Sequence, residues 1–324
     1  MNSHNTDTLD PVALLNCAVL APSSHNTQPW LFRLSEDGRT IELLADVQRA
    51  LPINDPDNRE LHISCGCALF NLRVAAADTG FERVCTLLPD SDRPELLARI
   101  QIGTGTLEPE LAGLGEAAIH RRTWRNRFKS EPLPDALQLQ LCDAAEAEGG
   151  RLQLLPEPEL RSQVVELVKQ GDGLQWQDEA WREELAHWMH PGRSGDGLMV
   201  PRLVAPLVRG VVRRFDMGRS VGSQDSLLAE ESPLLALLTS PGDTPQDWLK
   251  TGQALQRLLL VAQQQGVQAS YLNQPIQLAQ LRPVLEKALA AQGHAQILLR
   301  LGYPDDRLPA SPRRPVDDVI VDQP

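Results

Sequence analysis

Four arginines fall within seven residues in His120-Arg121-Arg122-Thr123-Trp124-Arg125-Asn126-Arg127-Phe128, in a chain that is acidic as a whole. A guanidinium presents a planar fork of donors that pairs bidentately with phosphate, and the Thr123 hydroxyl can add another donor. The cluster therefore suits the anionic end of a nucleotide. It also suits a solvated helix face whose arginines pair with acids such as Glu116 and Glu131. A second cationic pair, Arg313-Arg314, stands between Pro312 and Pro315. That stiff segment can lie against the same anion or serve as an exposed connector.

A different chemistry is offered by Ala21-Pro22-Ser23-Ser24-His25-Asn26-Thr27-Gln28-Pro29-Trp30. Fixed neutral donors and acceptors between two prolines suit a heteroaromatic ring with carbonyls and ring nitrogens. The same residue types are ordinary where a helix stops and turns follow. The common nucleotide signatures G-x-G-x-x-G and G-x-x-x-x-G-K-[ST] do not occur, nor does the G-x-S-x-G elbow of serine hydrolases. His187 and His190 share a helical spacing, but no Cys/His pair completes a zinc set, so no metal site is expected. Trp176, Trp181 and Trp188 read as a hydrophobic face or a cover over a pocket.

The polar loop follows a helix that begins at Asp10-Pro11, and precedes a strand pair, Trp30–Leu34 with Thr40–Leu44, around Glu36-Asp37-Gly38. A buried helix rich in small residues spans 57–77, with strands at 81–88 and 99–103. Helical patterns recur at 111–121, 134–148 and 158–190, and 191–231 reads as irregular. Further helices are expected at 247–265 and 281–291, a strand at 296–301, and a proline-rich tail at 302–315. Residues 71–80 and 258–266 are both apolar helix ends closed by glycine before a strand, which fits either two related halves or any two buried helices.

The chain has 324 residues, room for two modules, and a net charge of 31 − 43 = −12 that disfavours nucleic acid and acidic membrane faces as partners. The apolar runs are too short for a membrane span. The first ten residues lack a basic start and an apolar core, so a cytoplasmic location is the expectation. Five cysteines in apolar contexts suggest packing thiols, not disulfides.

Together the two clusters resemble the nitroreductase family of flavoproteins, in its Acg-like branch of two fused halves. The segment from Leu14 to Trp30 is similar to the family's flavin-binding A-P-S-x-x-N-x-Q-P-W, and His120 to Phe128 to its phosphate-binding R-R-[ST]-x-R-x-F. Trp248 to Ala254, Leu272-Asn273-Gln274-Pro275-Ile276, Leu301-Gly302-Tyr303 and Pro312 to Pro315 are similar to the branch's C-terminal half. In single-module members the arginine segment precedes the A-P-S segment; here it follows, as in a fused pseudo-dimer.

The resemblance implies an α+β fold of two related halves, each with a mainly antiparallel sheet flanked by helices, divided as 1–111 and 112–324. It implies bound FMN, with Pro22, Ser23, Ser24, Asn26 and Gln28 toward ring and ribityl chain, and Arg121, Arg122, Thr123, Arg313 and Arg314 toward phosphate. Arg125 is expected at the pyrimidine edge, and Leu272 and Asn273 near the ring centre. One FMN per chain is expected, because residues 1–13 hold no arginine or lysine for a reciprocal site. The implied activity is ping-pong: NAD(P)H delivers hydride to flavin N5, and a nitroaromatic, quinone or related small-molecule acceptor takes the electrons, without a catalytic side chain. The alternative is an FMN-storing protein in which 191–231 forms a lid. Arg193, Arg202, Arg209, Arg213, Arg214 and Arg219 in that segment can instead attract a phosphorylated nicotinamide or an acidic substrate.

Overall fold

Asp10 Oδ1 accepts from the amides of Val12 and Ala13 at 3.0 and 3.2 Å, and with Pro11 it starts α1 (Pro11–Ala18) as an N-cap should. The computed structural model describes residues 9–191 and 195–322; Arg193 lies outside them. After the polar loop, β1 (Trp30–Leu34) and β2 (Thr40–Ala45) pair antiparallel with Leu34 opposite Ile41. Helix α2 (Arg59–Asp78) leads to β3 (Arg83–Leu87) and β4 (Leu96–Ile102), and these four strands form an antiparallel sheet in the order β1-β2-β4-β3.

Helices α3 (Leu114–His120) and α4 (Asp135–Glu146) precede β5 (Arg151–Leu154). Then follow α5 (Pro158–Gln177), α6 (Glu179–Trp188), the parallel pair β6 (Met189–His190) and β7 (Leu198–Met199), α7 (Ala205–Arg214) and α8 (Gly218–Glu230). The chain continues through β8 (Leu234–Ser240), α9 (Pro245–Gln264), β9 (Gln268–Tyr271), α10 (Gln274–Gln277), α11 (Arg282–Ala288) and β10 (His294–Gly302). The second sheet is also antiparallel, in the order β5-β8-β10-β9.

Numbered along the chain, both sheets run first-second-fourth-third, and in both a long helix, α2 or α9, separates the second strand from the third. The fold is α+β, and the two helices that end in the glycine-closed echo hold the same place in the two strand orders. One apolar core joins inner faces of both sheets to α2 and α9, with Leu43, Leu72, Leu238 and Leu258 among its fully buried residues. Such shared burial is the main force holding the halves together. No helix among the described residues is long and apolar enough to cross a membrane.

Two expectations are corrected, and one strand was not foreseen. The pattern over 158–190 is two helices, because Asp178 breaks the run and its carboxylate caps α6 by accepting from the amides of Ala180 and Trp181. Within 191–231 the described residues include α7 and α8, whose apolar residues Val212 and Ala229 are buried, where an irregular segment was expected. Strand β8 has every residue buried, so it lacks the alternation that marks a half-buried strand. Beyond β10 the tail crosses back to the first half, where the Val321 amide donates to Phe32 O at 2.9 Å.

Candidate functional site

The polar loop and the arginine segment meet at a cavity of about 350 Å³. Pro22, Ser23, Ser24 and His25 line it from one side, and Thr123 and Arg125 from another. The loop holds an unusual shape: His25, Asn26 and Gln28 all have left-handed backbones, with φ of 47, 54 and 53°. Such conformations in non-glycine residues persist only where surroundings enforce them. Here the Gln28 amide donates to Ser23 Oγ at 2.9 Å, closing the loop on itself. The arginine segment is fixed to the second sheet, with the Trp124 amide donating to Ala269 O at 2.9 Å. Arg300 on β10 holds it from below, donating to the carbonyls of Trp124 and Asn126 at 3.0 and 2.9 Å.

Arg121, Arg122 and Arg313 do not line the cavity, but their charges act on one another: burial first, and then the charges of Arg121 and Arg122, push the Arg313 guanidinium down to about 9. Burial also lowers Arg121, on which Tyr271 and Cys67 of the cavity wall act electrostatically. The Nε atoms of all three arginines are buried without a hydrogen-bond partner among the described residues. Buried donors are rarely left unmatched, and gathering like charges is costly, so this cluster has the chemistry that suits an anion. Arg125 exposes more of its surface and, unlike the other three, lines the cavity.

The other expected residues have different surroundings. Asn26 Nδ2 donates to Gly197 O and Pro312 O, both at 3.2 Å, and its Oδ1 accepts from Arg313 Nη1 at 3.1 Å. Gln28 Nε2 donates to Gly195 O at 2.7 Å, and its Oε1 accepts from the Arg314 amide at 2.9 Å. Arg314 is buried and donates to Gln28 O at 3.1 Å and Asp318 O at 2.9 Å. These three side chains frame the loop and do not line the cavity. Leu272 packs into the core beneath β10, whereas Asn273 lines the cavity and fixes the amide of Leu298 through its Oδ1 at 2.9 Å.

Several wall residues escape a reading of the sequence. Glu60, 2% exposed in the first turn of α2, accepts from Ser24 Oγ at 2.6 Å, Gln277 Nε2 at 3.0 Å and Arg59 Nη2 at 3.3 Å. It ties the first half to α10. Burial drives His25 down to about 4, so its ring is neutral at pH 7, and its Nδ1 has no partner among the described residues. Trp176, Trp181, Asp172 and Asp225 complete a further part of the wall. Of the described arginines of 191–231, none lines the cavity. The segment contributes Leu198, Val221 and Asp225 instead. Among the described residues no cluster suited to a metal ion occurs.

No model of a known protein family matches the chain. A Mycobacterium tuberculosis protein, provisionally named an NAD(P)H nitroreductase, is 31% identical over 331 residues, covering 99% of this chain and 93% of that protein. The Acg protein of the same organism, with the same provisional name, is 27% identical over 322 residues, covering 97% and 96%. Among solved structures, oxidised iodotyrosine deiodinase bound to FMN and 3-iodo-L-tyrosine aligns over 62% of this chain and 95% of that one, at 20% identity and a TM-score of 0.43. By its full-length likeness to the mycobacterial proteins, the chain belongs to the NAD(P)H nitroreductase family.

Proposed function

We propose that the chain is an FMN-dependent oxidoreductase that takes hydride from NAD(P)H and passes electrons to a nitroaromatic, quinone or related small-molecule acceptor. The observation that carries this reading is the convergence of Arg121, Arg122 and Arg313, with buried unmatched Nε atoms, beside a cavity lined by Pro22, Ser23 and Ser24. Among the described residues no side chain satisfies those donors, and a phosphate monoester would. The bound cofactor supplies the redox chemistry. With FMN bound, Thr123 would offer a hydroxyl to the phosphate, Arg125 positive charge to the ring, and Asn273 a polar wall, all three of them lining the cavity. Asn26, Gln28 and Arg314 act indirectly by holding the loop and the tail in place. In this reading 1–111 and 112–324 are the two halves of a pseudo-dimer, working as a monomer with one FMN per chain.

Mixing the flavin-loaded protein anaerobically with NADH or NADPH tests the reading. Rapid bleaching of the flavin absorbance, followed by recovery when a quinone or nitroaromatic is added, is the expected result. A storage role is favoured by one feature: the insertion is bolted to the loop through Gly195 and Gly197, bound to Gln28 and Asn26, while its Leu198 and Val221 wall the cavity. Tightly held FMN that stays oxidised under excess NADPH selects that role.

A further inference from the structure

The three arginines account for unmatched positive charge around the cavity; another part of its wall carries unmatched negative charge. Asp172 on α5 and Asp225 on α8 accept from the same side-chain amide, Gln274 Nε2, at 3.2 and 2.9 Å. Asp172 is only 3% exposed, lines the cavity, and its Oδ2 has no hydrogen-bond partner among the described residues. Arg300 partly offsets the charge of Asp225, but no arginine or lysine forms an ion pair with either carboxylate among the described residues. Beside them stand Trp176 and Trp181, packed edge to face with ring centroids 5.6 Å apart. Trp181 is locked by its Nε1–H, which donates to Asn54 Oδ1 at 2.9 Å.

Buried carboxylates are costly unless a cation meets them, and tryptophan walls favour cations as well as flat rings. We propose that Asp172, Asp225, Trp176 and Trp181 form a subsite for an aromatic ring bearing a protonated amine. As a binding site this stands on the cavity alone; as the identity of the electron acceptor it rests on the function proposed above, and then makes that acceptor a cationic aromatic.

Without such a ligand the pair holds a proton, because burial and the neighbouring Asp225 raise the Asp172 carboxyl to about 7. A bound cation displaces that proton, so its affinity rises with pH through neutrality. The other ionisable groups of the wall leave this behaviour to the pair. Glu60 on α2 is already taken by Ser24, Gln277 and Arg59, His25 stays neutral, burial raises Cys67 on α2 and Tyr271 on β9 further from neutrality, and burial lowers Arg125 from the ordinary guanidinium value.

Titration calorimetry with benzylamine, benzyl alcohol and benzoate, on both flavin-loaded and flavin-free protein, tests the subsite. Benzylamine should bind about tenfold or more tighter than the alcohol, a difference of roughly 1.4 kcal/mol. Benzoate should be weakest, and benzylamine should tighten severalfold between pH 6 and 8 with release of a proton. Asp172→Asn should abolish both the charge preference and the pH dependence. Equal affinity for amine and alcohol, tighter benzoate, or no binding of benzylamine overturns the proposal, and the wild-type series decides it even if the variant does not fold. A protein that binds benzylamine but never takes up FMN keeps the subsite and removes the flavin reading. One that binds FMN but ignores ligand charge does the reverse.

Discussion

A β-carbon built on Gly66 of α2 would lie 2.9 Å from the Cα of Gly252 on α9, and one built on Gly252 would lie 2.7 Å from the Cα of Gly66. The two long helices therefore cross backbone on backbone, and Cys67 Sγ donates to Gly252 O at 3.1 Å in the same contact. Because Ile63, Ser64 and Cys67 of α2 and Leu255 of α9 all line the cavity, this crossing sets its dimensions.

Adding a methyl group at the crossing must push the helices apart. Gly252→Ala and Gly66→Ala should each lower stability by about 2 kcal/mol or more, read as a fall in the urea midpoint at unchanged slope. Gly173→Ala is the control: nothing lies within 4 Å of a β-carbon there, so helix propensity alone acts and stability should hold or rise. Equal effects at Gly252 and Gly173 would refute the close crossing.

Glu60 joins Ser24 of the loop to Gln277 of α10 and faces the buried Arg59, whose Nη1 also donates to Gln296 O at 2.6 Å. Removing the carboxylate strands a buried guanidinium, which typically costs about 3–5 kcal/mol. Glu60→Ala should lose stability on that scale, and Glu60→Gln less because the amide keeps the shape and some hydrogen bonds. A loss under about 1 kcal/mol for Glu60→Ala, on the scale of an exposed ion pair, would contradict the bridge.

Asp172 gives stability a pH signature. In the folded chain its carboxyl keeps a proton to about pH 7, whereas the ordinary value is 3.8. The folded state thus binds more protons between those limits, and its stability falls as pH rises through the window. Asp172→Asn removes this contribution, so its stability advantage over wild type should grow between pH 5 and pH 8 by about 2 kcal/mol. Thermal unfolding at the two pH values measures it. An advantage that shrinks toward pH 8 would carry the wrong sign.

Arg314 staples the tail to the loop through Gln28 O and Asp318 O. Arg314→Ala should speed limited proteolysis within 303–312 by an order of magnitude or more, as the tail detaches from the edge of β1. Arg314→Lys should rescue little, since a single ammonium cannot span both carbonyls with a fixed fork. Unchanged proteolysis in the alanine variant would show that the Val321–Phe32 pairing holds the tail alone.

The loop and the arginine segment were legible in the sequence because each packs its polar residues into one contiguous stretch. The sequence could not show that Asn26, Gln28 and Arg314 spend their side chains on one another and on the 195–197 turn, since those partners are set by the folded path of the tail. Glu60, Asp172 and Asp225 were invisible for the opposite reason. Glu60 and Asp172 fall in helical patterns and Asp225 in a stretch that reads as irregular; an isolated acid is ordinarily solvated, and only the packing of α2, α5 and α8 around one cavity turns these three inward. The hairpin of β1 and β2 was readable from alternation and its Glu36-Asp37-Gly38 turn, whereas β8 hid its strand character by being buried throughout, with no apolar–polar alternation.

The most direct measurement compares FMN with riboflavin, which differ only by the phosphate, in titrations of flavin-free protein. Wild type should bind one FMN per chain at least about a hundredfold more tightly than riboflavin, equivalent to roughly 2.7 kcal/mol from charge-assisted hydrogen bonds to Arg121, Arg122 and Arg313. The double variant Arg121→Ala, Arg122→Ala should bring the two affinities together. Equal affinities in wild type, or no uptake of FMN at all, would contradict a phosphate held by these arginines.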